Sequence, residues 1–285
     1  MAVPCLWSCS WYSWTGSQGA AEVRNVASSD HDLQHTLGRF VAECEAVGMR
    51  VSTSKSEAMV LSRKMVDCSL RVGGELLPQA KEFKYLGVLC MSDGRMEYEI
   101  DRRISAASAV MRSLYWTTVV KRERSRKAKL SIYQSIYVLT LTYGHKIWVV
   151  TERRRLRIQA AEMSFLQRVS GLSLRDRVRS LDIQRELGVE PLLLRVERSQ
   201  LRWFRHLVRM PPRRLPLEIF QAHPTGKRPW GRPRTSWRDY VSLLAWERFR
   251  NPQEELENVA GERDVWNALL SLLPPQFQNK WEILN

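Results

Sequence analysis

The sequence predicts an α+β chain that is mostly α: one helix and about three antiparallel strands, then a basic multi-helix region and an irregular basic tail. Three observations predict it. Apolar residues recur at helical spacing over most of the chain after Ser92. Short apolar runs punctuated by glycine fill the stretch from Gly48 to Ser92. Hydrophobic residues make up 44% of the chain and charged residues 26%, a globular balance that argues against disorder throughout.

Residues 1–26 are rich in Trp, Ser and Gly, show no clear period, and read as an unpatterned leader. Residues 27–92 form the α/β part. Ser28, Ser29 and Asp30 offer capping side chains, Leu33, Leu37, Phe40, Val41 and Cys44 recur at helical spacing, and Gly48 stops the helix. Ala58 to Leu61 is a short strand-like run. Cys68–Val72 and Glu75–Leu77 flank Gly73-Gly74, a hairpin signal, and Phe83–Cys90 is a third strand-like run.

Residues 93–210 read as helices. One face carries Ile100, Ile104, Ala107, Met111 and Leu114, and a second carries Leu130, Tyr133, Tyr137 and Leu141. Thr151 opens a third helix, with Leu156, Met163 and Leu166 on its apolar face and Gly171 near its end. Val178, Leu181 and Leu187 mark a fourth, closed by Gly188. A fifth runs from Pro191 to Met210. Six prolines make 211–236 mostly an irregular linker. In 237–285 a helix resumes at Trp237, and a last one covers Glu262 to Leu273.

The formal charge of +15 is unevenly placed. Residues 1–92 are neutral, 93–210 carry +13, 211–250 carry +6 and 251–285 carry −4. A basic middle points to a localised anionic partner. Arginine dominates it, and its planar fork suits phosphate. On the fifth helix Arg195, Arg198, Arg202, Arg205 and Arg209 are spaced 3, 4, 3, 4. They fall within an arc of about 80° and form a ridge about 20 Å long. Such a ridge either spans several phosphates of a nucleic acid or is a solvated face. Gly231-Arg232-Pro233-Arg234 resembles the minor-groove clamp of AT-hook peptides, with Trp230 where a preceding arginine is expected. The same residues also read as a Pro-stiffened basic linker.

Gly48-Met49-Arg50-Val51 followed by Lys55-Ser56-Glu57 resembles the segment that follows the catalytic strand of reverse transcriptases. Phe83-Lys84-Tyr85-Leu86-Gly87 resembles their primer-grip hairpin. Ile132-Tyr133 through Tyr143-Gly144, Trp148, the Arg195–Met210 helix and Gly226–Trp237 look like the tail of non-LTR (LINE-type) retrotransposon enzymes. The resemblance covers roughly residues 27 to 240. It implies that 27–92 are the end of a palm, 93–210 a thumb-like domain, and the remainder a nucleic-acid-handling tail. It places Lys55 near an incoming nucleotide, and Tyr85, Leu86 and Gly87 against primer phosphates. RNA, DNA or a hybrid would be the partner.

The family's catalysis needs a Phe/Tyr-Ala-Asp-Asp box roughly ten residues before the position of Ala27, holding Mg²⁺ with a third aspartate. Here Ser17 to Val26 contains one acidic residue, Glu22. The resemblance thus implies nucleic-acid binding without catalysis, and no catalytic residue, metal ligand or cofactor is expected in this chain. The alternatives are a polymerase that acts within a larger assembly, and a decayed or domesticated element without enzymatic role. Asp30 and Asp32 read as capping residues. His31 and His35 share a helix face without an evident third metal ligand. Five cysteines without a Cys-x-x-Cys pair imply a reducing, intracellular setting, in nucleus or cytoplasm. No membrane span is expected, and the sequence leaves the oligomeric state open.

Overall fold

The structure, a computed structural model, describes residues 5–13, 21–27, 30–61, 67–116, 125–212, 214–221, 235–250 and 253–273. They are α+β and mostly α, with short antiparallel strands in small sheets. The chain forms two compact units; one runs through Glu99 and the other begins at Ile100.

The first unit begins with β1 (Cys5–Ser13) and β2 (Ala21–Ala27), an antiparallel pair. These strands lie where the sequence reading placed an unpatterned leader. The overlooked signal is the alternation of Trp7, Cys9 and Trp11 with Ser8 and Ser10, a two-residue period. The helix α1 (Asp30–Ala46) follows, ending before Gly48, which takes a positive φ of 75°. Then come β3 (Arg50–Val51), a 3-10 turn at Thr53–Lys55 and β4 (Glu57–Leu61). β1 is the inner strand, with β2 along one edge and β3 and β4 along the other. Leu33 and Leu37 of α1 pack with Ala58, Val60, Cys68, Leu70, Val72 and Leu77 in a buried core.

Two hairpins complete this unit. β5 (Arg71–Val72) and β6 (Glu75–Leu76) turn through Gly73 and Gly74, both at positive φ. β7 (Glu82–Tyr85) and β8 (Val88–Met91) turn through Leu86 and Gly87. The run Phe83–Cys90 is therefore a hairpin rather than one strand. Two-residue loops of this kind need positive φ at both central residues, which fits their twist to the strands.

In the second unit α2 (Glu97–Leu114) continues to its end, followed by α3 (Arg126–Ile132), a π turn at Tyr133–Tyr137 and α4 (Val138–Leu141). α5 (Glu152–Ser170) ends on Gly171 and α6 (Ser180–Leu187) on Gly188, both left-handed. α7 (Leu192–Val208) follows Pro191, and α8 (Leu215–Gln221) comes next. α9 (Trp237–Phe249) starts with a capping box between Ser236 and Asp239. α10 (Gln253–Gly261) and α11 (Arg263–Ser271) close the described chain.

Three differences from the sequence reading stand out in this unit. The supposed irregular linker 211–236 contains α8, and α10 was not foreseen. Leu156 is exposed, and α5 buries Ile158, Ala161, Phe165 and Val169 along with Met163 and Leu166. α7 lies at the centre of the packing. Leu194, Leu201 and Phe204 are buried along it, and the Phe204 ring meets Phe220 of α8 edge-on and lies tilted against Trp266 of α11.

Candidate nucleic-acid interface

Lys55 stands exposed at the end of the 3-10 turn, just before β4. Beside it Ser56 is fully buried and donates its hydroxyl to the Ser52 carbonyl at 2.8 Å, which fixes the turn. Tyr85, Leu86 and Gly87 form the tip of the β7–β8 hairpin. Leu86 has φ 43° and Gly87 φ 79°, and Leu86 is 68% exposed. The hairpin is held through the middle of β8 by Glu99. That buried carboxylate, on the first turn of α2, accepts a hydrogen bond from the Leu89 amide at 2.9 Å. An apolar side chain presented to solvent on a left-handed backbone is costly, by roughly 1–2 kcal/mol.

The five arginines of α7 belong to the second unit. Their 3-4-3-4 spacing places them along one side of the helix, but they do not form a uniform exposed ridge. Arg195, Arg202 and Arg209 are exposed; Arg198 and Arg205 are half-buried. Arg198 is engaged by Glu190, and its Nη2 donates to the Leu273 carbonyl at 3.2 Å. Arg205 has buried Nε and Nη2 groups that meet no acceptor among the described residues. Desolvation, together with the neighbouring Arg209 and Arg263, pushes its pKa below the usual arginine value. Sequence spacing found this face but could not show that α11 covers part of it.

The opposite side of α7 ties the helix to its neighbours. Glu197, the acid that interrupts the row, is buried. It accepts from Arg155 at 2.7 Å and from Arg248. Gln200, also buried, donates to the carbonyls of His145 and Trp148 at 2.9 and 2.8 Å. Polar contacts on its inner face thus hold the helix in place while the arginine side faces outward.

Sequence reasoning missed two features. Glu162 of α5 is buried, accepts from the Tyr133 hydroxyl at 3.0 Å and the Leu192 amide at 3.1 Å, and burial raises its pKa to about 7. The α7–α11 seam brings Arg198 and Arg202 together with Asn267, Leu270 and Ser271. Arg232 and Arg234 lie outside the described residues, as does the rest of the AT-hook-like segment. Of the stretch Ser17–Val26, residues 21–26 lie in β2, where Glu22 is opposite Trp11 of β1. Among the described residues no three of His, Cys, Asp and Glu gather as a metal-ligand set. Nor, among them, is any helix long and apolar enough to cross a membrane.

The chain is similar to an uncharacterized transposon-derived protein of Caenorhabditis elegans. The two are 26% identical over 271 residues, covering 90% of this chain and 95% of the other. A likeness spanning nearly both full lengths supports a transposon origin. No family model and no solved structure matches the chain.

Proposed function

We propose that the chain derives from a non-LTR retrotransposon reverse transcriptase and binds RNA or DNA through the phosphate backbone without polymerising it. The binding rests on one observation: the outer side of α7 carries Arg195, Arg202 and Arg209 exposed and without an acidic partner among the described residues. Exposed arginines on a rigid helix release counterions when they meet phosphates, which yields affinity without sequence preference. The ancestry is supported by the order of the elements: a strand pair, a helix, Lys55 before a strand, the Tyr85–Gly87 hairpin, and a basic helical region. The likeness to a transposon-derived protein points the same way.

Fluorescence anisotropy with labelled single-stranded, duplex and hybrid oligonucleotides tests the reading. Binding at low salt should fall steeply as salt rises. The triple change Arg195→Gln, Arg202→Gln and Arg209→Gln should lower the salt slope by about three, one per lost contact. A full chain that binds none of the three probes at low salt overturns the proposal. In a primer-extension assay with Mg²⁺ no product is expected, because Ser17–Val26 holds no aspartate pair. Primer-dependent product would overturn the non-catalytic part.

A further inference from the structure

α7 and α11 run past one another with their chain directions opposed. Arg198 reaches the Leu273 carbonyl at the end of α11, Arg202 lines a recess with Asn267, Leu270 and Ser271, and Arg205 lies within electrostatic reach of Arg263 and Asp264 at its start. The recess is open and measures about 320 Å³. That is the low end of the range for ligand sites, roughly 300–1,000 Å³.

The charge along the seam is one-sided. Arg198 has Glu190, and Asp264 lies near Arg205. Against these two acids stand Arg198, Arg202, Arg205, Arg209 and Arg263. Arg205 is the informative member, since it holds two desolvated donors without an acceptor among the described residues. A half-buried cation beside two like charges is unfavourable unless an anion offsets the field. Donors are also present on the other wall. The Asn267 amide is exposed there, while Ser271 gives its hydroxyl to the Ala268 carbonyl at 2.7 Å.

We propose that the α7–α11 seam is a built phosphate site, in which Arg202 and Asn267 grip one backbone phosphate of a nucleic-acid strand and Arg209 and Arg263 meet the next ones. The proposal rests on the nucleic-acid reading above and adds α11 as the second wall. From Arg202 to Arg209 the helix advances about 10 Å, enough to follow two or three phosphates of one strand. Asn267 supplies directed hydrogen bonds where the arginines supply charge. The site therefore combines charge with a directed hydrogen bond to an anionic oxygen.

The test uses the full chain and a fluorescein-labelled 20-nucleotide single-stranded DNA. Asn267→Asp and Ser271→Glu each place a negative charge on the α11 wall at exposed positions, and each should weaken binding by about tenfold or more. Arg202→Gln should weaken binding and also lower the salt slope by about one. Lys127→Gln on α3, which removes the same charge elsewhere, should change affinity by less than about twofold. If the wild-type chain binds but both α11 variants bind equally well, α11 is no part of the site, and the wider reading survives. If the wild-type chain binds nothing, the wider reading fails first. Competition separates the possible sources of phosphate. Inorganic phosphate should displace the strand only at millimolar concentration. Displacement at the strand's own concentration would mark a site for free phosphate and overturn the backbone assignment.

Discussion

The Glu162 carboxyl is buried, and its pKa is raised from 4.5 to about 7. The folded state therefore holds an extra proton between those values. Its stabilising contribution is complete below pH 4.5 and is lost as pH rises through 7. A displacement from 4.5 to about 7 is worth roughly 3 kcal/mol. Denaturant unfolding across pH 5 to 7.5 should show stability declining, and Glu162→Gln, which stays neutral, should flatten that decline. Parallel slopes for the two proteins would remove Glu162 from the account. The second residue is Leu86, at φ 43° on a hairpin tip. Asparagine is at ease in that position and leucine is not. Leu86→Asn should raise stability by about 0.5–1 kcal/mol, read as an increase in Tm. If it also reduces nucleic-acid affinity, the strained, exposed leucine is retained for contact rather than for folding.

Among the elements, α7 is the one on which most depends. Its buried Glu197 balances Arg155 and Arg248 from two other helices. Glu197→Gln would take from Arg155 and Arg248 the buried carboxylate they share, leaving Arg155 the exposed Glu152 at 3.6 Å, at a cost of about 3 kcal/mol. Thermal unfolding should report that loss, since a domain of ordinary stability has only about 5–15 kcal/mol in hand. The sequence made α7 legible because its apolar and arginine faces are cleanly separated. Other elements were harder to read. α10 contains Glu254, Glu255 and Glu257, with Leu256 the main apolar residue it buries, so its period is faint. α8 is short and carries Pro216 in its first turn, where proline is tolerated, yet the surrounding prolines hide it. β1 has a two-residue alternation, but of Trp, Cys and Ser rather than Val and Ile.

At the scale of the whole molecule, a net charge of +15 sets two responses to salt against each other. Screening weakens self-repulsion, so raising ionic strength from about 10 mM to 150 mM should raise Tm. The same change should reduce nucleic-acid affinity through counterion release. Melting curves and anisotropy titrations in matched buffers check both, and a fall in Tm with salt would mean that ion pairs outweigh repulsion. The charge map was readable from residue order alone, as was the helical middle. The candidate site was readable only in part. Spacing identifies which arginines share a face, but what packs on that face comes from α11, more than fifty residues further on, and no local pattern encodes the meeting. Arg198 and Arg205 are therefore partly withdrawn from a surface to which their spacing had assigned them.

The inner position of β1 has a consequence for how the chain is made. Cys5 pairs with Leu61, so β1 waits for a strand that the ribosome supplies more than fifty residues later. At about 5–20 residues per second that wait lasts several seconds. During it the β1–β2 pair has an open edge where β3 and β4 will later lie, and such an edge is prone to pair with other chains. Synthesis rate and chaperone supply, more than final stability, should therefore govern how much of this protein accumulates in native form.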